Sequence, residues 1–159
     1  MKQGLFKRIF ILYGSILLLA MTGMELLVTG VVRDNGINSL QDSLAIQAGL
    51  IAQFMPFQSR SPLDPLCRGF RETAHARVTL LAPNGKVLCD SDHESATMDN
   101  HIDRPEIRQA DLGDTGMSIR TSDTLDEQLL YVALKISRND QTQGFVRLSV
   151  PLDKVESSV

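Results

Sequence analysis

Tryptophan is absent from this 159-residue chain, aromatic residues are few, and there are only two cysteines. Outside its first residues there is no run of lysine or arginine, and the formal net charge is -3. A nucleic-acid surface needs clustered cations with interleaved aromatics, so no nucleic-acid partner is expected. His75, His93 and His101 have no HExxH or comparable spacing, and the two cysteines add no zinc framework, so no metal site is assigned. Asp90-Ser91-Asp92-His93-Glu94 offers carboxylates but lacks the ligand and glycine spacing of a calcium loop; it reads as a solvated loop with a turn cap. No serine sits in a GxSxG setting and no histidine is placed beside a nucleophile, so no catalytic residue is assigned. Arg68 and Arg71 would favour a thiolate at Cys67, although an apolar helix position explains that cysteine as well. Asn-x-Ser/Thr acceptors, internal repeats and low-complexity tracts are also lacking.

Against these absences stands one long apolar run, Ile9 to Val32, interrupted only by the charge of Glu25. As a helix it covers roughly 36 Å, enough to cross a hydrocarbon core of about 30 Å with some tilt. Lys2, Lys7 and Arg8 precede it, which puts residues 1–8 in the cytoplasm, a transmembrane helix at 9–32, and residues 33–159 outside. The expected location is the inner (plasma) membrane, with the globular part periplasmic. A cleaved signal peptide is the competing reading, but its apolar region is about 7–15 residues and ends in small residues at the cut. Glu25 in lipid costs about 2.5–3.5 kcal/mol on insertion scales, tolerable near an interface; the alternative is a helix partner in a dimer.

After Arg33-Asp34-Asn35-Gly36, apolar residues recur at helical spacing: Ile37, Leu44 and Ile51, with Leu40, Ala48 and Met55 between them. Such a stripe must be buried, either against the chain's own sheet or against a twin helix in a homodimer, where it would carry signals. Gly36 marks either an interruption or a weak point in one continuous helix. Pro56, Pro62 and Pro65 end that helix, and a second, short one is predicted from about Asp64 to Ala74. Strand formers at Arg77 to Ala82 and Lys86 to Cys89 flank Pro83-Asn84-Gly85, a hairpin whose Asn-Gly pair favours positive φ. Further strands are predicted at Met117 to Ser122, Gln128 to Ile136 and Gly144 to Pro151, joined as a meander by turns at Asp123 to Glu127 and Asn139 to Gln143. Between hairpin and meander lies a polar crossing, Asp90 to Asp114, with a short helix from about Pro105 to Ala110. This order implies an α+β architecture: a long N-terminal helix and a central five-stranded antiparallel sheet with helices on one face. Cys67 and Cys89 either pair, given an oxidising compartment, or are small buried apolar residues.

The arrangement resembles the PAS-like extracytoplasmic sensor fold of membrane receptors, also called the single Cache or PDC type. At the level of words, Ala76-Arg77-Val78-Thr79-Leu80, Asn84-Gly85-Lys86-Val87-Leu88, Asp90-Ser91-Asp92, Asn100-His101 with Asp103-Arg104-Pro105-Glu106-Ile107, Leu130-Tyr131-Val132-Ala133 and Arg147-Leu148-Ser149-Val150-Pro151-Leu152 are similar to the sensor region of PhoR-like sensor histidine kinases. The resemblance implies a signal-sensing segment of a two-component receptor, with a small ligand or an envelope partner protein as stimulus. It also implies a C-terminal kinase that uses ATP and magnesium and addresses a response regulator. Those kinase elements do not follow Val159, so the chain reads as the N-terminal segment of a longer receptor, with 152–159 starting the helix back to the membrane. No cofactor is expected within the segment itself. In PAS-like sensors the polar crossing borders the ligand pocket, which makes His101, Arg104, Arg120 and Tyr131 the candidate ligand-binding residues, suited to a small anion. The alternative is structural: Arg104 tied to Asp103 or Glu106, and Tyr131 at a rim. A His101 facing the pocket would be expected to titrate near neutrality. The competing functions are a chemoreceptor or cyclic-dinucleotide enzyme carrying the same sensor module, and a membrane-tethered protein-binding domain without a ligand.

Overall fold

The computed structural model describes residues 2–57, 63–122 and 127–152, so Pro62, most of the turn expected at Asp123 to Glu127, and 153–159 lie outside the described residues. The chain forms two compact units that divide after Asn38. Helix α1, Lys2–Phe54, contributes to both, and its helical backbone runs through Gly36 without interruption.

In the first unit every large apolar side chain from Phe10 to Val32 is exposed. The helix is long and apolar enough to cross a membrane. Its threonine hydroxyls are satisfied within the helix: Thr22 Oγ1 donates to the Leu18 carbonyl at 3.0 Å and Thr29 Oγ1 to that of Glu25 at 2.8 Å. Such back-bonding satisfies these hydroxyl donors without water.

The second unit is built on a five-stranded antiparallel sheet. Its strands are β1 (Arg77–Leu81), β2 (Val87–Asp90), β3 (Thr115–Thr121), β4 (Gln128–Arg138) and β5 (Gln141–Pro151), in the spatial order β2-β1-β5-β4-β3. The expected meander is β3-β4-β5, and β5 returns to pair with β1 at the centre of the sheet. Two turns set the registers. Asn139 and Asp140, at φ 51° and 58°, form the two-residue loop between β4 and β5, so β5 starts at Gln141 rather than after Gln143. A pair of left-handed residues matches the twist of flanking strands. The β1–β2 loop departs from expectation, since only Gly85 (φ 81°) is left-handed and Asn84 is not. The Gly85 amide bonds to the Ala82 carbonyl at 2.9 Å and the Ala82 amide to that of Lys86 at 2.9 Å, a three-residue loop whose extra residue appears as a register shift at Leu80/Leu81.

Alternation along the strands divides the sheet into two unlike faces. Val78, Leu80, Leu130, Val132, Val146, Leu148 and Val150 point to one side, where Leu44, Ala48, Ile51, Ala52 and Met55 of α1 and Cys67 of α2 (Asp64–Ala74) cover them. Full burial of each such Leu or Val stabilises the unit by about 1.5–3 kcal/mol. The sheet therefore answers which partner buries the stripe from Leu44 to Met55: those side chains are spent in the unit's own core, with Leu40 half-buried beside them. Ile37, half-exposed, belongs to the other unit. Cys67 and Cys89, both fully buried, are joined in a disulfide with their Cα atoms 6.1 Å apart, tying α2 to β2.

Helix α3, Pro105–Gly113, lies on the other face, so helices cover both faces instead of one. Ile107 and Ala110 pack with Leu81, Val87, Ala133 and Phe145, a second small core. Close seating explains the side it takes. A Cβ at Gly116 of β3 would stand 1.9 Å from the Glu106 carbonyl oxygen, so only glycine lets strand and helix backbones approach this far.

Candidate functional site

Helix α3 covers only part of its face. Along the uncovered part, the alternation that buries Val146 and Leu148 behind the sheet turns Arg147 and Ser149 to the front, beside Arg77 of β1 and Tyr131 of β4. The segment from His93 to Arg104, including a short 3-10 turn at Ser95–Thr97, walls this area off. The result is a cavity of about 450 Å³ whose lining includes Arg77, His101, Arg104, Arg120, Tyr131 and Arg147. All four residues singled out from the sequence, His101, Arg104, Arg120 and Tyr131, line this one cavity.

A buried polar chain supports it. Arg147, only 2% exposed, donates from Nη1 to Glu106 Oε1 at 3.2 Å and from Nη2 to Thr79 Oγ1 at 3.3 Å. Thr79 in turn donates to Asp90 Oδ2 at 2.7 Å, and Arg77 Nε bonds both Asp90 oxygens at 3.0 and 3.1 Å. On the other side, Ser118 donates to Glu106 Oε2 at 2.6 Å, while Arg120 Nη2 stands 3.5 Å from Oε1. Both guanidiniums face Tyr131, with Arg120 4.1 Å and Arg147 5.2 Å from the ring centroid. The loop at Asp90 to Glu94 is thus occupied with the protein's own cations: Asp90 holds Arg77, and Asp92 holds Arg71 at 2.7 Å. Among the described residues no group of three or more His, Cys, Asp or Glu side chains is gathered to hold a metal.

Burial alone would raise the Glu106 and Asp90 carboxyls. The Ser118 hydroxyl and Arg147 overcome it at Glu106, and Arg77, the Asp92 amide and the Thr79 hydroxyl overcome it at Asp90, so both lie below their ordinary values and are anionic. Burial lowers Arg147, with Glu106 opposing; a guanidinium remains a cation in proteins. His101 corrects the expectation of titration near neutrality. Burial first, then Arg147 and Arg104, hold it at about 4, so its ring is neutral at physiological pH.

Three buried polar atoms around this cavity have no hydrogen-bond partner among the described residues: His101 Nδ1, Arg120 Nε and Arg147 Nε. Unpaired buried donors cost about 1–3 kcal/mol each, more when charged, and a polar guest relieves that cost. Asp103 pairs with Arg108 at 2.6 Å, and Glu106 with Arg147 and Arg120. Sequence reasoning overlooked Arg77, Arg147 and Glu106 as site residues. The signal was present in Phe145-Val146-Arg147-Leu148-Ser149-Val150, where a cation and a hydroxyl occupy alternate positions of an otherwise apolar central strand.

No protein-family model matches the chain, and no curated protein does. Solved structures do. The ligand-binding domain of the Campylobacter jejuni chemoreceptor Tlp3, solved with 4-methylisoleucine, is 14% identical at a TM-score of 0.61, covering 79% of this chain and 57% of its own. The Escherichia coli DcuS sensor domain is 18% identical at 0.56, covering 74% of this chain and 95% of its own. The sensor domain of the Vibrio cholerae histidine kinase DctB is 14% identical at 0.51, covering 76% and 58%. The chain thus spans a little over half the length of the Tlp3 and DctB domains. A long N-terminal helix followed by a five-stranded antiparallel sheet is the arrangement of these Cache/PDC-type sensor domains, and it is the fold of this chain.

Proposed function

We propose that this chain is the signal-sensing, extracytoplasmic region of a membrane-bound receptor and that its stimulus is a small anion received over Arg147, Arg120, His101, Arg104 and Tyr131. One observation carries the reading: two guanidiniums and a neutral imidazole border a single cavity with a buried polar atom on each left unpartnered. Fixed guanidiniums recognise carboxylates and similar anions by directed, charge-assisted hydrogen bonds. The ligand of the Tlp3 neighbour, 4-methylisoleucine, also carries a carboxylate.

Transmission would run through α1. Its Leu44 to Met55 stripe is packed on the back of the sheet whose front bears the cavity, and the helix continues to Lys2. An anion that favours one packing of the sheet would bias the helix by its differential affinity for the two packings. The basic residues Lys2, Lys7 and Arg8 orient the N-terminus to the cytoplasm and the sheet to the periplasm. A homodimer would use the outer stripe of Ile46, Leu50 and Phe54, which stays exposed, rather than the buried one. The output we assign is a histidine kinase region outside this segment, with ATP, magnesium and a response regulator as its partners. Likeness to the Tlp3 domain supports a chemoreceptor output as the second reading.

Thermal-shift titration of the detergent-solubilised chain with small carboxylates, phosphate and divalent cations tests the proposal. A carboxylate is expected to raise Tm saturably in the wild type and to lose most of that effect in Arg120→Ala. Silence of every anion would contradict the proposal and favour a tethered protein-binding domain.

A further inference from the structure

Glu106 is an unusual neighbour for an anion site. It is fully buried, it comes from the first turn of α3, and it holds two of the four guanidiniums that line the cavity. Arg147 and Arg120 share this single carboxylate, which leaves one net positive charge at the cavity floor. A further cation of the floor, Arg77, is matched by Asp90, whose two oxygens share its Nε–H. The neutral His101 adds hydrogen-bonding capacity without charge. Glu94 and Asp99 bring carboxylates, and Arg104 a further cation, to the same lining.

From this charge balance we infer that Glu106 is a specificity-determining residue: it spends one of two floor charges internally, so the cavity selects a monoanion with a single carboxylate-like group over a dianion of the same size. The inference rests on the anion reading above and deepens it. A buried charge is tolerated only when paired. A first carboxylate meets the uncompensated guanidinium and the open Nε donors of Arg120 and Arg147. A second carboxylate finds the remaining floor cations engaged with Glu106 and Asp90, and the carboxylates of Glu94 and Asp99 on the same lining. Glu106 is also well fixed for such a role. Ser118 holds its second oxygen, and the close approach of α3 to Gly116 prevents the helix start from drifting.

Calorimetric titration of the whole chain in detergent, at constant ionic strength, separates the possibilities with butyrate and succinate, which share a four-carbon backbone. Wild type is expected to bind butyrate at least about tenfold more tightly than succinate. Glu106→Gln keeps the shape and the Ser118 contact while removing the charge, and is expected to bring succinate to parity or better. Should that variant not fold, raising the pH through the second ionisation of succinate in the wild type gives the same decision: affinity is expected to fall as the dianion forms. Succinate binding the wild type as tightly as butyrate, or more tightly as its second carboxyl ionises, would keep the anion reading and overturn the role of Glu106. Binding of neither anion would sink the anion reading and this inference with it.

Discussion

A buried guanidinium is tolerated when its donors are matched, and Arg147 has one carboxylate, one hydroxyl and the face of one tyrosine. Replacing Arg147 with methionine keeps most of the volume but takes from Glu106 the nearer of its two cations and from the Thr79 oxygen its incoming donor. Chemical denaturation is expected to show a loss of about 3–5 kcal/mol, the cost of breaking a buried pair by one partner. The pH dependence has two stages. His101 has a folded value lowered from 6.5 to about 4, so the unfolded chain binds more protons between those values. Stability is therefore complete above about 6.5 and declines as pH falls towards 4, by up to about 3 kcal/mol. Glu106 and Asp90, also depressed, contribute stability that is present above the ordinary carboxylate range and is lost as pH falls through their lower values. Denaturation series across this range should show both stages in the wild type and only the more acidic one in His101→Gln.

At the scale of elements, Gly116 and the disulfide decide how the cavity walls are held. Gly116→Ala would drive a methyl group against the Glu106 carbonyl and the Ala110 amide, both backbone. The expected loss is about 1–3 kcal/mol, with weaker anion binding because Glu106 moves with α3. The Cys67–Cys89 bridge closes a separation of 22 residues and fastens α2, whose Asp64 accepts hydrogen bonds from the Asp90 amide and from Ser95. Cys67→Ala with Cys89→Ala is expected to cost about 3 kcal/mol in urea unfolding. Strands, meander, helix stripe and hairpin were legible because each is written in local alternation or turn chemistry, as at Leu129 to Leu134 and Asn139-Asp140. What stayed hidden was tertiary. The side of the sheet taken by α3 depends on a missing Cβ at Gly116, and the burial of His101 on its own segment closing over the sheet, where its amide bonds the Gly85 carbonyl at 2.9 Å. Half the site was read from the crossing and from Arg120 and Tyr131. Arg147, Arg77 and Glu106 were hidden because an inward-facing charge reads like an outward-facing one until the sheet has two known faces.

On the scale of the whole molecule, the proposed topology gives the Ile9 to Val32 run and the sheet-bearing unit different solvents. Fifteen large apolar side chains between Phe10 and Val32 are exposed on a helix long and apolar enough to cross a membrane, whereas the sheet unit buries its apolar side chains in two cores. Lys86, exposed at the tip of the first hairpin, reports the orientation. An amine reagent that does not permeate membranes is expected to modify Lys86 in intact cells with an opened outer envelope. Protection of Lys86 until the bilayer is lysed would reverse the proposed topology. The reading of this molecule as a receptor depends most on whether an anion enters the cavity over Arg147 and Arg120. Nitrogen-15 NMR of the arginine Nε–H groups during titration of the chain with butyrate measures that entry directly. The resonances of Arg120 and Arg147 are expected to shift together and saturably, while that of Arg108, paired with Asp103 on the surface, stays in place. Resonances of Arg120 and Arg147 that do not move, or that move no more than that of Arg108, would contradict the account.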